Sequence, residues 1–453
     1  PPRSTLFPYT TLFRSENKDN LLSNSLNLIG KADLLKDKEL RIVQQKREND
    51  LPKLESYAKS YVGILNGDTP RFIFCFWEIP IINKKWEFIQ STVNTRQLYS
   101  GRSNIILWEN GNGSLRNLAI QLKDKLHNAD RRGSQAWEKN GIAVSQMGSL
   151  NTSLYSGNYF DSNLAVILPD KKEYLIPIWC FCNSQDYYNE VRKIDKNKKV
   201  TNATLVKVPF SINFWENVAK EQFLNGLPSP YSDDLTQWLF HGQPIKSDQT
   251  LQVAISRLLG YRWPAESDAE MELSDEAREL IRDIKRFDHL SDIDGIICIP
   301  SVSNEETAAN RLRDYLKEIF RENWDTNTIQ QLLEKENARS TNLEGWLRNE
   351  FFIQHCKVFQ NSPFIWHIWD GRNDGFSALV NYHKLNKENL TKLIYTYLGD
   401  WIRMCEIKKK TGVSGAEGLL SAAQKLKEKL ELILEGEKPY DIFVRWKDRK
   451  SVV

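Results

Sequence analysis

Between Tyr61 and Phe214 the apolar residues come in short runs, and nearly every run is closed by Gly, Asn, Ser or Asp. The runs cover 71–79, 104–108, 142–144, 164–168, 175–181 and 203–208. Apolar stretches of that length between turn formers predict strands joined by tight connections, and they rule out a bundle of long helices here. Helical spacing interrupts them at 115–125 and 186–194. The texture then changes. Gly226-Leu-Pro-Ser-Pro-Tyr231 reads as a linker, and after it helices are predicted at 250–259, 274–287, 305–322, 326–336 and 342–350, broken by one strand at 295–300. A third region starts near 351 and ends in two helices, 387–410 and 416–434, joined through Gly412-Val-Ser-Gly415. Leu419, Ala423, Leu426, Leu430 and Ile433 recur at helical spacing, so the last helix packs one face on a partner. The expected class is α+β: a mixed-sheet domain over 61–225, a mainly helical region over 226–350, and a C-terminal region over 351–447 with a helical hairpin. Residues 16–60, rich in Lys, Glu and Leu, are expected to be a helical lead-in.

The two ends read differently. Translated back to codons, residues 1–15 match a short-read sequencing adapter, and 448–453 match the reverse complement of its end. Two unrelated termini have no reason to be antisense copies of one another. Both are expected to be adapter-derived and are set aside from fold reasoning. The native protein is then expected to continue beyond 16 and 447.

Of the formal charge of +3, the two ends supply all of it. Within the remainder, 16–230 carries +6, 231–370 carries −10 and 371–447 carries +4. A mildly basic block beside an acidic one permits nucleic-acid binding without demanding it. No apolar run approaches the ~20 residues that span a bilayer, so no membrane partner is expected and a cytoplasmic location is. The six cysteines (75, 180, 182, 298, 356 and 405) sit mostly among apolar neighbours. They read as reduced core residues, and Cys180-x-Cys182, expected on one face of a strand, lacks the second pair a zinc site would need.

Chemistry is sparse. Gly111-Asn-Gly113 is the closest approach to a cofactor-binding glycine turn, but no apolar strand leads into it with an acidic residue suitably downstream, and it reads as a hairpin turn. Asn361-Ser-Pro-Phe364 matches three of the four positions of an Asn-Pro-Pro-aromatic loop, which in adenine methyltransferases orients the target amine; the Ser makes it a turn. Asp400 with Glu406-Ile-Lys408 has the residue types of a Mg²⁺-dependent nuclease but falls within one predicted helix, where a solvated face is the simpler reading. His355, His367 and His383 lie among aromatics, as core histidines do. No catalytic, cofactor-binding or metal-binding residue is predicted.

Four stretches carry a family resemblance. Gly63-Ile-Leu-Asn-Gly-Asp-Thr-Pro-Arg-Phe72 resembles the opening of the target-recognition domain of large adenine-specific DNA methyltransferases. These are the fused type II restriction-modification enzymes and the methylases of BREX and DISARM phage defence. Residues 136–141 through 160–161 are similar to the middle of that domain, and 192–195 with 200–209 to its close. Pro363-Phe-Ile-Trp-His-Ile-Trp-Asp-Gly371 through 375–383 resembles the segment that follows, and is the most specific of the four. The resemblance implies a DNA-reading portion whose catalytic domain, N-terminal to it in the parent, uses S-adenosylmethionine to methylate adenine N6. No cofactor is expected in this portion, which is expected to be inactive alone. The implied partners are double-stranded DNA, that missing N-terminal methyltransferase domain, and other phage-defence proteins.

Reading DNA needs side chains that reach base edges and cations that meet phosphates. Arg71, Arg96, Arg102, Arg131, Arg132 and Lys139 are the candidates in the turn-rich domain, with Asn66 and Asn151 beside them. Arg192, Lys193, Lys196, Lys198 and Lys199, set against Asp195, form the clearest phosphate-contact candidate. Trp77, Trp86 and Trp108 suit either a core or base stacking. The acidic block is expected to pack on the methylase core or another protein. A stand-alone specificity subunit and an unrelated interaction module stay open beside the methyltransferase reading.

Overall fold

The computed structural model describes residues 51–93, 96–122, 128–302, 305–436 and 438–440. The lead-in predicted over 16–60 lies outside the described residues as far as residue 50, as do both adapter-like ends. The architecture is α+β, built on three small sheets among the described residues.

The first sheet is antiparallel, in the order β1 (Ala58–Val62), β8 (Leu164–Pro169), β5 (Asn140–Ser145), β6 (Thr152–Ser156). Side chains alternate across it, and both faces are covered. Ile142, Val144, Ala165 and Ile167 face one core, while Ala143, Leu164 and Val166 face a second core with Tyr155 and Phe160. The second sheet runs β2 (Ile73–Cys75), β4 (Asn104–Leu107), β3 (Trp86–Gln90), β7 (Tyr159–Phe160), with β7 parallel to β3. Its core does not stop at the 226–231 segment. Phe72, Trp77, Ile105 and Trp108 belong to the same buried cluster as Trp238, Leu251, Trp263, Leu312, Trp346 and Leu379.

The third sheet, β10 (Ile365–Trp369), β11 (Ser377–Asn381), β9 (Ile296–Cys298), is antiparallel and sandwiched. Ile297, Ile365 and Leu379 enter the large core, whereas Ile296, Cys298, Ala378 and Val380 pack on the C-terminal hairpin. That hairpin pairs Leu398–Lys410 with Ala416–Glu435 and buries Leu398, Trp401, Cys405, Ala423 and Leu430. The helix predicted over 387–410 begins as Lys387–Lys392 and passes through a π-helical turn, Leu393–Tyr397, before continuing. No helix among the described residues is long and apolar enough to cross a membrane.

Four local expectations are corrected. Leu175–Cys182 is a helix, α3 in chain order after α1 (Thr69–Phe72) and α2 (Ser114–Gln121), and not a strand. It is apolar all round, so no period marked it, and Pro177 fits its first turn. It packs between β5 and the helix Ile212–Gln222. Cys180 and Cys182, expected on one face, therefore sit about 200° apart around the helix. Cys180 faces Gln222, while Cys182 is buried beside Tyr187. Residues 203–208 form a 3₁₀ turn, Thr204–Val206, fixed by the Thr201–Thr204 hydroxyl pair; Asn202 Nδ2 bonds Ser60 O. The run 71–79 keeps only β2 as strand, because Glu78 folds back to accept the Cys75 N–H at 3.0 Å and starts a 3₁₀ turn. Gly111-Asn-Gly113 is no hairpin turn: it leads from β4 into α2.

That last turn has the strand–glycine–helix order of a phosphate cradle, yet its anion position is filled from within. Glu109 accepts from both the backbone N–H (2.7 Å) and the hydroxyl of Ser114. The Ser114 hydroxyl bond, first among several contacts, holds the Glu109 carboxyl below its usual range. A carboxylate at the start of a helix satisfies the donors that a phosphate would need.

Candidate nucleic-acid interface

The basic segment lies at the end of α4 (Gln185–Ile194), which Ser184 starts by accepting the Tyr187 N–H. Beyond Ile194 the chain turns on Asp195, whose carboxylate accepts the Asn197 N–H at 2.9 Å, and Lys196, Lys198 and Lys199 are left exposed. Arg192 clamps this loop. One Nη donates to Asn197 O, the other to Gly148 O at 2.8 Å, and the guanidinium lies over the Tyr188 ring.

Gly148 belongs to the β5–β6 turn, where it takes φ +62° and a Cβ would meet nothing within 4 Å. The same turn is stitched to its neighbours. Val200 N donates to Gln146 O, and Gln146 N donates to Asn163 O. Lys199 Nζ reaches Ser162 O at 3.1 Å and Asn163 Oδ1 at 3.2 Å. Asn151 Nδ2 donates to Val93 O, and Ser145 Oγ accepts the Val93 N–H. Arg96 donates to Asn183 O. Three loops and the end of a helix are thus held as one surface, with Met147 (42% exposed) at its tip. Beneath it lies Asp161, its carboxyl raised by burial and bonded to the Ser91 hydroxyl.

Of the residues singled out in the sequence, this surface gathers Arg96, Asn151, Arg192, Lys193, Lys196, Lys198 and Lys199. Lys193 is paired with Glu190 at 2.6 Å. Its cations project from loops on a rigid sheet, the arrangement that meets a phosphate backbone. The sequence reading did not single out Gly148, Ser162, Asn163 or Tyr188. The Gly148-Ser149 and Ser162-Asn163 pairs, each between two strand-like runs, were the available signal.

Other candidates serve the fold. Arg102 is corrected outright: it is 1% exposed and cannot touch DNA. Its guanidinium donates to Leu154 O at 2.9 Å and lies near the Tyr99 and Trp238 rings, and burial brings its pKa down to about 10. Arg131 staples two turns together, donating to Gly111 O, covering Trp108 at 5.0 Å and pairing with Asp130. Asn66 uses its Oδ1 to accept from Asp68 N and the Thr69 hydroxyl at the start of α1. Arg71 is exposed and lies over Phe72, and Arg132 is exposed with no partner among the described residues. Lys139, bonded to Gln135 O, stands at the opposite end of β5 from Gln146. Trp77, Trp86 and Trp108 are all buried and belong to the core.

The remaining motifs have internal partners. Asp400 pairs with Arg403 within its own helix, and Lys408 covers Trp401. His355 is fully buried between Gln252 Oε1 and the Ile365 N–H, and burial holds it neutral, down to about 3. Among the described residues no three His, Cys, Asp or Glu side chains gather as metal ligands would. Compared with known proteins, the chain matches no family model and no curated sequence.

Proposed function

We propose that this chain is the DNA-binding, target-recognition portion of a site-specific adenine-N6 DNA methyltransferase of a restriction-modification or phage-defence system. S-adenosylmethionine and methyl transfer would belong to the parent's catalytic domain. The observation that supports this best is the surface built from the β5–β6 turn, the 161–163 turn and Arg192–Lys199. It presents unneutralised lysines beside an open glycine turn, and loops of this kind supply phosphate anchors with base-reaching groups next to them. The four stretches similar to adenine methyltransferases direct the reading from DNA binding in general toward target choice.

Selection from a pool of duplexes with a randomised centre tests it. The expected result is salt-sensitive binding and enrichment of one short sequence. Absence of duplex binding would sink the proposal, and binding with no enriched sequence would remove target recognition from it. The same chain, incubated with labelled S-adenosylmethionine and the enriched duplex, is expected to transfer no methyl group.

A further inference from the structure

The third sheet has an open edge. β10 pairs with β11 alone, in continuous register from Ile365↔Asn381 to Trp369↔Ser377 and without a bulge. In an antiparallel pair, alternate residues turn their N–H and C=O toward the partner strand and away from it. Phe364 O accepts the Tyr382 N–H, and the Asp370 N–H donates to Phe376 O, so Phe364, Trp366, Ile368 and Asp370 face β11. His367 and Trp369 therefore point their N–H and C=O outward, where these groups have no hydrogen-bond partner among the described residues. Ile365, which also faces outward, has its N–H taken by His355 Nε2 at 3.2 Å. The edges of the first sheet, by contrast, are covered. On β6 the Leu154 N–H donates to Leu98 O, and Leu154 O accepts from Gln90 and Arg102. On β1, Ser60 O accepts from Asn202. Edge strands are ordinarily guarded by charged residues, proline or a bulge, and Ile365-Trp-His-Ile-Trp369 has none of these. A cleft of about 380 Å³ lies along it. Both Trp366 and His367 line this cleft; consecutive strand residues face opposite sides of a sheet, so it opens at the rim of the strand. Phe352 meets the His367 ring edge-on at one side, and Trp366, stacked on Tyr382 at 5.2 Å, stands at the other. Trp369, 45% exposed, continues the apolar strip.

We propose that β10 takes up an extended, basic peptide segment of a partner protein as a fourth strand of this sheet. Main-chain bonds to His367 and Trp369 supply affinity, and the aromatic walls receive apolar side chains from alternate residues of the segment, as in strand addition to other sheet edges. Charge sets the partner. The block 231–370, to which the whole of β10 belongs, carries −10. The cleft's lining includes no Lys or Arg, and its one carboxylate, Glu78, is already held by the Cys75 N–H. A segment with Lys or Arg on either side of its apolar residues is drawn to that field, whereas a phosphate backbone is repelled by it. A second copy of this chain would bring an equal negative charge against the same edge, which disfavours pairing of β10 with itself.

The test is fluorescence anisotropy of a labelled peptide, Lys-Lys-Val-Thr-Val-Thr-Lys-Lys, titrated with the full chain. Saturable binding is expected. The same peptide with alternate backbone amides N-methylated, and one with Glu in place of each Lys, are each expected to bind at least about tenfold more weakly, the worth of one or two hydrogen bonds. Trp369→Pro removes an outward donor while leaving the bonds to β11 in place, since proline is tolerated where a strand's N–H faces away from its sheet. Trp369→Val removes the ring and keeps the donor. The proline variant is expected to lose about tenfold of affinity relative to the valine variant, at the same Tm. Phe352→Ala, which takes away a wall and no backbone group, is expected to weaken binding as well. Absence of saturable binding, equal binding by the N-methylated or the Glu peptide, or binding unchanged in Trp369→Pro and Phe352→Ala would overturn the proposal. Self-association of the chain that Trp369→Pro abolishes, with no peptide bound, would assign the edge to a second copy and overturn it too. The inference does not rest on the duplex-binding surface. Alanines at Lys196, Lys198 and Lys199 should leave peptide binding unaltered, so either proposal can fail alone.

Discussion

Replacing Lys196, Lys198 and Lys199 together by alanine separates an electrostatic role from a structural one. All three are exposed; only Lys199 has hydrogen-bond partners among the described residues, namely Ser162 O and Asn163 Oδ1. Each phosphate neutralised contributes a slope of about −0.9 to the dependence of log affinity on log salt. Three full contacts would therefore remove about 2.7 from the slope, and about 2 if Lys199 stays with its protein partners. Between about 50 and about 200 mM salt, a loss of 2 to 2.7 corresponds to roughly sixteen- to fortyfold of affinity. The assay is fluorescence anisotropy of a labelled duplex over that salt range. Triple replacement by arginine is expected to retain the slope, and Lys139→Ala, at the other end of β5, to leave it unchanged. A triple alanine variant whose slope equals that of the parent, while the parent binds in a salt-sensitive way, would refute the placement of DNA on this surface.

Arg102→Met is expected to leave DNA affinity and its salt slope untouched and to hold stability within about 1 kcal/mol, because an apolar residue of similar size can replace a buried cation that makes no salt bridge among the described residues. Arg102→Ala should cost about 3 kcal/mol through the cavity, read by urea denaturation. Glu336, buried where it accepts the Leu251 N–H, is pushed up to about 7 by burial. The folded state therefore holds its proton more tightly, and stability falls as pH rises from about 4.5 to about 7. Glu336→Gln keeps the acceptor and should add on the order of 2–3 kcal/mol at pH 8. Buried His241 and His355, each brought down to about 3 by burial, act in the opposite sense: their contribution is complete above about 6.5 and is lost as pH falls toward 3. Melting curves across pH in the parent and in Glu336→Gln check both signs. Gly63→Ala should destabilise by about 3 kcal/mol in a thermal melt, because its Cβ would fall 2.2 Å from Phe160 O.

Sequence alone determined the elements whose pattern is local. Short apolar runs closed by turn formers marked β5 and β8, and the runs are continuous because successive side chains face two different cores. The helices that Ser184, Ser274, Thr307 and Asn342 cap fell within the stretches that helical spacing marked, to within a few residues. The cationic run 192–199 was legible for the same reason: its charge is carried by consecutive residues. What the sequence left open depends on neighbours distant in the chain. Leu175–Cys182 has no period to read, and only its burial between β5 and the helix Ile212–Gln222 makes it helical. Arg102 looks like any surface arginine until Trp238, more than a hundred residues later, closes over it. The surface around Lys199 exists because Gln146, Asn163 and Val200 share backbone bonds, and the second sheet joins the helical region because Trp77 and Trp238 share one core. Short-range pattern sets which face of an element is apolar; packing decides which faces meet, and so which charges stay in water.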